Sequence, residues 1–225
     1  MRGAIKELNV CLRGVKKSPL LLMVSGGSAL ELLDGIQMRN IGRNITITVL
    51  DERFSRDPAI NNFSQVAETE FYKKAERKGI DYIDTRVHRN MSLRRFAGRF
   101  EQGLRAWRRK YPKGKIMCTQ GIGEDGHTAG ILAYPEDPKK FQRLFEKQNQ
   151  WVVGYNATKA KSEYAKRVTV TLPFLRKEVD CSVAYATGSK KRGAVRRVAA
   201  KRGILAATPA RVLREMENII LCTDQ

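Results

Sequence analysis

The sequence predicts an α/β fold, a three-layer sandwich in which helices cover both faces of a mostly parallel sheet. Short apolar runs of strand length alternate with helical patterns along the 225 residues, and this alternation is typical of right-handed βαβ crossovers. The length suits one domain, and no internal repeat or linker of biased composition divides the chain. We therefore expect residues 1–225 to form a single α/β domain.

Each predicted strand is a run of four to six mainly apolar or β-branched residues. The run at 20–24 is wholly apolar, which is typical of a parallel strand buried on both faces. The predicted strands are 20–24, 45–50, 116–119, 151–155, 167–172, 182–187 and 218–222.

The predicted helices show apolar residues three and four positions apart. In the segment 92–111 the apolar stripe includes Phe96, Phe100, Leu104 and Trp107, and arginines fill most of the remaining positions. The predicted helices are 3–15, 28–38, 63–78, 92–111, 138–147, 189–202 and 209–215.

Composition excludes several classes of protein. The longest apolar run is far shorter than the roughly 20 residues that cross a bilayer, and it is too short for a signal-peptide core. The four cysteines are widely spaced, without the C-x2-C pattern of a zinc or redox site, so we expect them to be core residues and expect no metal centre. These features predict a soluble cytoplasmic protein that does not associate with membranes, either a monomer or a small homo-oligomer.

The net charge of +20 is concentrated in two segments. Residues 86–115 carry eleven Lys or Arg against one acid, and residues 186–205 carry seven against none. The favoured interpretation is that both are helices with solvated basic faces. Attraction of an anionic substrate and non-specific nucleic-acid binding are the functional alternatives, and we consider nucleic acid the less favoured partner because no aromatic or helix-turn-helix signature accompanies the charge.

Three segments that follow predicted strands carry chemistry, and in parallel sheets ligands bind beyond the carboxyl ends of the strands. The first contains Ser25, Gly26, Gly27 and Ser28. Its glycines would allow the backbone to approach a ligand closely. Its serine hydroxyls and the N–H groups at a helix start would favour binding of a phosphate. A plain turn with Ser28 as the helix N-cap is the alternative.

The second segment begins with Asp51 and continues through Glu52 to Arg53. Arg53 beside Asp51 would hold the acid ionised and also meet an anionic oxygen. A surface salt-bridge cluster is the alternative interpretation.

The third segment, 121–128, contains Asp125 and His127. The histidine side chain titrates near neutral pH and therefore suits proton transfer, and a tight glycine turn would aim both side chains the same way. The other histidine, His88, lies between Arg86 and Arg89 and is interpreted as a bystander.

Gly121, Gly123 and Gly126 also match the dinucleotide pattern G-x-G-x-x-G, which is weak alone. That pattern needs a helix opening at the third glycine, but the residues that follow run to Pro135 and form a poor helix start. We therefore expect no nicotinamide, flavin or other cofactor.

With these loops the chain resembles the 6-phosphogluconolactonase and glucosamine-6-phosphate isomerase/deaminase family. The family motifs S-G-G-S, D-E-R or D-E-Y, and G-x-G-x-D-G-H occur here in order. The stretch after D-E-R resembles D-x-x-S-N-Y at Asp57 and Asn62, residues 167–173 resemble R-I-T-L-T-L-P, residues 187–191 resemble T-G-x-x-K, and residues 209–210 resemble the P-A segment. The resemblance covers nearly the whole chain and implies a Rossmann-like sheet in a single catalytic domain.

The resemblance also implies roles for matching residues. A phosphate would bind the loop 25–28 with help from Arg167 and Lys191. Proton transfer would take place around Asp51, Arg53, Asp125 and His127.

Two positions favour the lactonase branch over the deaminases. Arg53 stands where deaminases have tyrosine, and Leu132 stands where they have a glutamate five residues after the histidine. The implied reaction is hydrolysis of 6-phospho-D-glucono-1,5-lactone to 6-phosphogluconate, a step of the pentose phosphate pathway. His127 would activate water, Asp125 or Asp51 would orient its ring, and Arg53 would support the oxyanion.

Two departures from the family pattern affect the predicted pocket. Ala29 and Leu30 replace the usual Thr-Pro, and the segment after His127 is two residues longer before its proline. Deamination of an amino-sugar phosphate, or a non-catalytic protein that binds sugar phosphate or nucleic acid, are the alternatives.

Overall fold

A computed structural model describes residues 1–42, 44–88, 90–157 and 162–224. Within these ranges the chain forms nine strands. They are β1 Leu20–Val24, β2 Ile45–Val49, β3 Asp51–Arg53, β4 Asp81–Tyr82, β5 Lys115–Gly121, β6 Val152–Asn156, β7 Lys166–Val170, β8 Cys181–Ala186 and β9 Ile219–Thr223.

The same ranges contain seven α-helices and four 3-10 segments. The α-helices are α1 Arg2–Gly14, α2 Asn62–Ala67, α3 Glu70–Glu76, α4 Leu93–Lys110, α5 Pro138–Phe145, α6 Leu172–Glu178 and α7 Arg192–Ala199. The 3-10 segments are Gly27–Gly35, Met38–Asn40, Ser189–Lys191 and Pro209–Arg214.

The main sheet has six parallel strands in the order β4-β2-β1-β5-β8-β9, as the alternating pattern predicted. Because successive side chains of a strand point to opposite faces, β1 contributes side chains to two apolar cores. Leu21 and Met23 pack with the α4 side of the sheet, whereas Leu20, Leu22 and Val24 pack with the α1 side. The three-layer sandwich is therefore confirmed.

The predicted strands 151–155 and 167–172 do not join the main sheet. They correspond to β6 and β7, which form a separate antiparallel sheet with β3 in the order β3-β7-β6. The reason is the length of the connection: only residues 157–165 separate β6 from β7, whereas a parallel crossover needs a dozen or more.

Several helices also differ from the predicted boundaries. The predicted helix 63–78 is broken into α2 and α3 because the Thr69 hydroxyl accepts from the Tyr72 N–H and donates to the Val66 carbonyl, and so begins a new helix. The segments predicted as helices at 28–38 and 209–215 are wound as 3-10 turns. The strands β3 and β4 and the helix α6 were not predicted, and residues 51–53, which were interpreted as the start of a loop, form β3.

The basic face of α4 is only partly solvated. Its apolar stripe is buried as predicted, and Arg94, Arg95 and Arg109 are exposed. Arg105 and Arg108 instead form salt bridges with Glu101 and Glu178. Arg89, in the same basic segment, lies outside the described residues.

The strand order fixes where a ligand can bind. From β1 the chain moves to β2 and β4 on one side, then returns to β5 on the other side. The carboxyl ends of β1 and β5 therefore border the crevice at which strand order reverses. In the described ranges, no helix has both the length and the apolar character needed to span a membrane.

Candidate active site

A cavity of about 310 Å³ lies at the carboxyl ends of β1 and β5, within the size range of small-molecule sites. It is bordered by all three of the segments singled out from the sequence. Its lining residues are Ser25, Gly26, Gly27, Ser28, Asp51, Arg53, Asn62, Gly121, Ile122, Gly123, Glu124, His127, Ala129, Arg167 and Lys191.

One wall of the cavity is suited to an anion. The chain turns directly from β1 into the 3-10 segment Gly27–Gly35, whose first residues line the cavity. No side chain caps the N-terminus of that segment, so its first N–H groups have no side-chain acceptor. Lys191, on the segment that follows β8, donates from Nζ to the Ser28 Oγ at 3.0 Å. The Lys191 ammonium group therefore lies beside the start of the 3-10 segment in the cavity lining.

The cavity lining also includes an imidazole, that of His127, which is in contact with the carboxylate of Asp125. His127 Nδ1 lies 2.6 Å from Asp125 Oδ1, and the His127 backbone N–H donates to the same oxygen at 3.1 Å. Because the carboxylate accepts from Nδ1, we infer that the neutral ring carries its proton there and keeps a lone pair on Nε2. Burial acts to raise the pKa of Asp125, but the hydrogen bonds and charge of His127 outweigh it, and the pKa is lowered below its usual value.

Glycine makes this turn possible. A Cβ on Gly123 would lie 2.1 Å from His127 Nδ1, so any other residue there would displace the ring. Gly126 has a φ of +93°, a conformation that side-chain-bearing residues rarely adopt. The tight glycine turn predicted between Asp125 and His127 is therefore present.

Asp51 has a different partner from the one predicted. Its Oδ2 accepts from Arg167 at 2.9 Å in a nearly buried salt bridge, because β3 and β7 pair antiparallel and bring these side chains together. Arg53 does not hold Asp51. Its guanidinium instead stacks 4.6 Å from the centre of the Tyr164 ring, so the predicted Asp51–Arg53 interaction is wrong.

Glu52 points away from the cavity and is fully buried. Its carboxyl accepts from the backbone N–H groups of Arg53, Asn62 and Phe63 at 2.6–3.0 Å, and Thr85 Oγ1 lies 3.0 Å away. Burial raises the pKa of Glu52 to about 8. This carboxyl joins β3 to the start of α2, and the sequence analysis gave it no role.

Asn62 is a second residue for which the sequence predicted no role in the site. Its amide donates to the Asp51 carbonyl at 2.9 Å, and its side chain is 2% exposed although it lines the cavity. The signal was available, because Asn62 lies in the stretch that resembles D-x-x-S-N-Y.

Four buried polar atoms around the cavity have no hydrogen-bond partner among the described residues. Buried polar groups are normally satisfied, so this concentration indicates a polar ligand or water. The atoms are Ser25 Oγ, Arg53 Nε, Asn62 Oδ1 and Arg167 Nε.

Nine of the ten candidate site residues therefore line one cavity, and Asp125 lies behind His127 as its partner. Across the described ranges, no three His, Cys, Asp or Glu side chains converge into a metal site. The loop after Gly126 forms a bridge between Thr128 and Ile131, and the next helix begins only at Pro138. The helix that a dinucleotide pyrophosphate would need at Gly126 is therefore not formed.

The chain is therefore an α/β sandwich protein with a glycine–serine loop and an acid–imidazole pair at the switch point of a parallel sheet. The family model for glucosamine-6-phosphate isomerases/6-phosphogluconolactonase matches residues 4–221. The chain belongs to this family.

Solved structures of similar fold include 6-phosphogluconolactonases from three organisms. The protein from Thermotoga maritima superposes with a TM-score of 0.72 at 17% identity, covering 98% of this chain and 95% of that one. The putative enzyme from Neisseria gonorrhoeae gives 0.72 at 19%, covering 98% and 94%. The enzyme from Trypanosoma brucei gives 0.72 at 17%, covering 98% and 92%. No curated protein matches the sequence.

Proposed function

We propose that this chain hydrolyses a phosphorylated sugar lactone, 6-phospho-D-glucono-1,5-lactone, to 6-phosphogluconate with His127 as general base. Water attacks the lactone carbonyl carbon while its proton passes to His127 Nε2. The tetrahedral intermediate then collapses, the bond from the carbonyl carbon to the ring oxygen breaks, and the imidazolium returns the proton to that oxygen. Water is the only co-reactant, and the reaction needs no added cofactor.

Asp125 supports this role through its contact with Nδ1. A carboxylate there fixes the tautomer that leaves Nε2 basic and stabilises the imidazolium formed during attack. The low pKa of Asp125 keeps it ionised at neutral pH. Asp51 is less suited to orienting the ring, since its carboxylate is bonded to Arg167 and Asp125 is the acid that contacts the ring.

The phosphate of the substrate would bind the wall formed by residues 25–28 and Lys191. Arg167 lines the same cavity, and its unpartnered Nε is a further donor for an anion. Arg53 has its own unpartnered Nε and would stabilise the oxyanion that develops on the carbonyl oxygen.

Two contacts at one cavity carry the proposal. His127 Nδ1 lies 2.6 Å from Asp125 Oδ1, and Lys191 Nζ donates to Ser28 Oγ at 3.0 Å. The substrate is a cyclic ester with an anionic phosphate, and it needs a base and an anion site in one crevice. The lining residues supply both.

The test compares two histidine variants of the purified protein in a lactone hydrolysis assay corrected for spontaneous hydrolysis. His127→Ala should lower kcat by about 10²- to 10⁴-fold, the usual worth of a general base. His88→Ala is the matched control, because His88 lies outside this cavity, and it should retain wild-type turnover. Wild-type kcat in His127→Ala would exclude the mechanism.

Release of ammonia from glucosamine 6-phosphate is the second candidate reaction on this fold. Position 132, where the deaminases have a glutamate, is occupied by a leucine that is 3% exposed and packed in the core. A measurable rate of ammonia release without lactone hydrolysis would replace the proposal by this one. Salt-sensitive binding of DNA or RNA that is indifferent to His127→Ala would favour the non-catalytic alternative.

A further inference from the structure

Two cysteines that are far apart in sequence meet beneath the first helix. Cys11 lies on α1 and Cys181 is the first residue of β8, and their sulfur atoms are 3.4 Å apart. Both side chains are half-buried rather than enclosed, so a small reagent can reach them from solvent. A thiol pair at this distance needs only a small shift to reach the roughly 2.05 Å of a disulfide bond.

We propose that Cys11 and Cys181 form a reversible thiol–disulfide site that cross-links α1 to β8 in the presence of a small-molecule disulfide. The inference concerns a part of the molecule outside the candidate active site and is independent of the proposed reaction.

The hydrogen bond between the two sulfurs assigns their order of reaction. The Cys181 thiol donates to the Cys11 sulfur, so the Cys181 proton lies between the two sulfurs and the Cys11 sulfur is the acceptor. Burial, followed by the hydrogen bond and charge of Cys11, raises the pKa of Cys181 to about 12. Cys181 therefore holds its proton, and we expect the acceptor Cys11 to attack first.

The exchange balances with the small disulfide as oxidant. The Cys11 thiolate attacks one sulfur of the reagent, forms a mixed disulfide and releases one small thiolate. Cys181 Sγ, after passing its proton to solvent, attacks Cys11 Sγ and releases the second. The protein loses two electrons and two protons, and the reagent is reduced to two thiols.

The other cysteines provide contrasts within the same chain. Cys118 is fully buried in the other core. Cys222 is half-buried like the pair, but it stands opposite Tyr185 on the neighbouring strand. That position is four residues along the sheet from Cys181, or about 13 Å, well beyond the reach of a disulfide. Cys222→Ser is therefore the matched control.

The experiment exposes the reduced full-length protein to oxidised glutathione, blocks remaining thiols with N-ethylmaleimide in denaturant, and maps tryptic peptides by mass spectrometry. We expect reactive thiols to fall from four to two, since all four cysteines begin free, with residues 7–13 joined to residues 178–190. Dithiothreitol should restore all four. Cys222→Ser should form the same cross-link.

Single variants test the order of attack. Cys181→Ser should accumulate a stable glutathione adduct on Cys11, whereas Cys11→Ser should leave Cys181 largely unmodified. Four persisting thiols in the oxidised wild-type protein, or a cross-link that includes Cys222 instead, would overturn the site. An adduct on Cys181 in Cys11→Ser at the rate seen for Cys11 would overturn the assigned order.

Discussion

The two carboxyl groups of β3 are neighbours in sequence but occupy opposite sides of the strand. Asp51 faces the cavity and is paired with Arg167, whereas Glu52 faces the core and is held by backbone N–H groups. Alternation along the strand separates them, so one acid is available to a ligand and the other stabilises the scaffold. A charged motif after a buried strand can therefore contain both a site residue and a structural residue.

The same contrast occurs between two adjacent lysines. Lys191 lines the cavity and donates to Ser28, whereas Lys190 is exposed and does not line it. Each pair provides a site variant and a control of the same chemistry.

The largest effect is expected from Glu52→Ala. Below about pH 4.5, where Glu52 is protonated in the folded and unfolded states, the change leaves two buried backbone N–H donors and one part-buried donor without their acceptor, at about 1–3 kcal/mol each, so we expect the free energy of unfolding to fall by about 3 kcal/mol or more. Urea unfolding followed by circular dichroism measures it. A loss below about 1 kcal/mol would show that the core-facing carboxyl is not structural.

The counterpart, Asp51→Asn, should mainly reduce activity. The amide keeps a hydrogen-bond acceptor for Arg167 but removes the charge that orients it, so we expect kcat/KM for the lactone to fall roughly 10²-fold. The free energy of unfolding should fall by less than in Glu52→Ala, because Arg167 borders the cavity and water can reach it. Equal destabilisation in the two variants would contradict the comparison.

A smaller effect on catalysis is expected at the phosphate wall. Lys191→Met removes a charge-assisted contact worth about 1.5–3 kcal/mol, so KM should rise by roughly ten- to a hundredfold with kcat little changed. Lys190→Met should leave KM within about twofold, since its side chain lies in solvent. Steady-state kinetics of the two variants side by side measure the difference, and equal KM values would remove Lys191 from the site.

The remaining prediction is a pH dependence of stability, which accumulates over several pH units. The folded-state pKa of Glu52 is raised from 4.5 to about 8, so its protonated form favours the folded state. The stabilisation is complete below about pH 4.5 and is lost as pH rises through about 8, with a slope of at most about 1.4 kcal/mol per pH unit. In Glu52→Gln this component should vanish, and an unchanged slope in unfolding titrations would contradict the raised pKa.

Much of the site could be predicted because its determinants are local. The glycine-rich turn that brings Asp125 to His127 is encoded within five residues, and β1 and β5 are buried parallel strands whose loops must emerge at one edge. That Asp51 pairs with Arg167 and not with Arg53 could not be predicted in this way. It depends on the register of β3 against β7, residues separated by more than a hundred positions in the chain.

The amino-acid sequence by itself determined the alternation of strands and helices, the three loops and the family to which the chain belongs, because periodicity and turn chemistry act over a few residues. Tertiary structure alone decided that β6 and β7 leave the main sheet, that Glu52 is buried while Asp51 meets the cavity, and that Cys11 lies against Cys181. These outcomes depend on how distant segments pack and pair, and burial, charge pairing and sulfur–sulfur distance are set only when those segments come together.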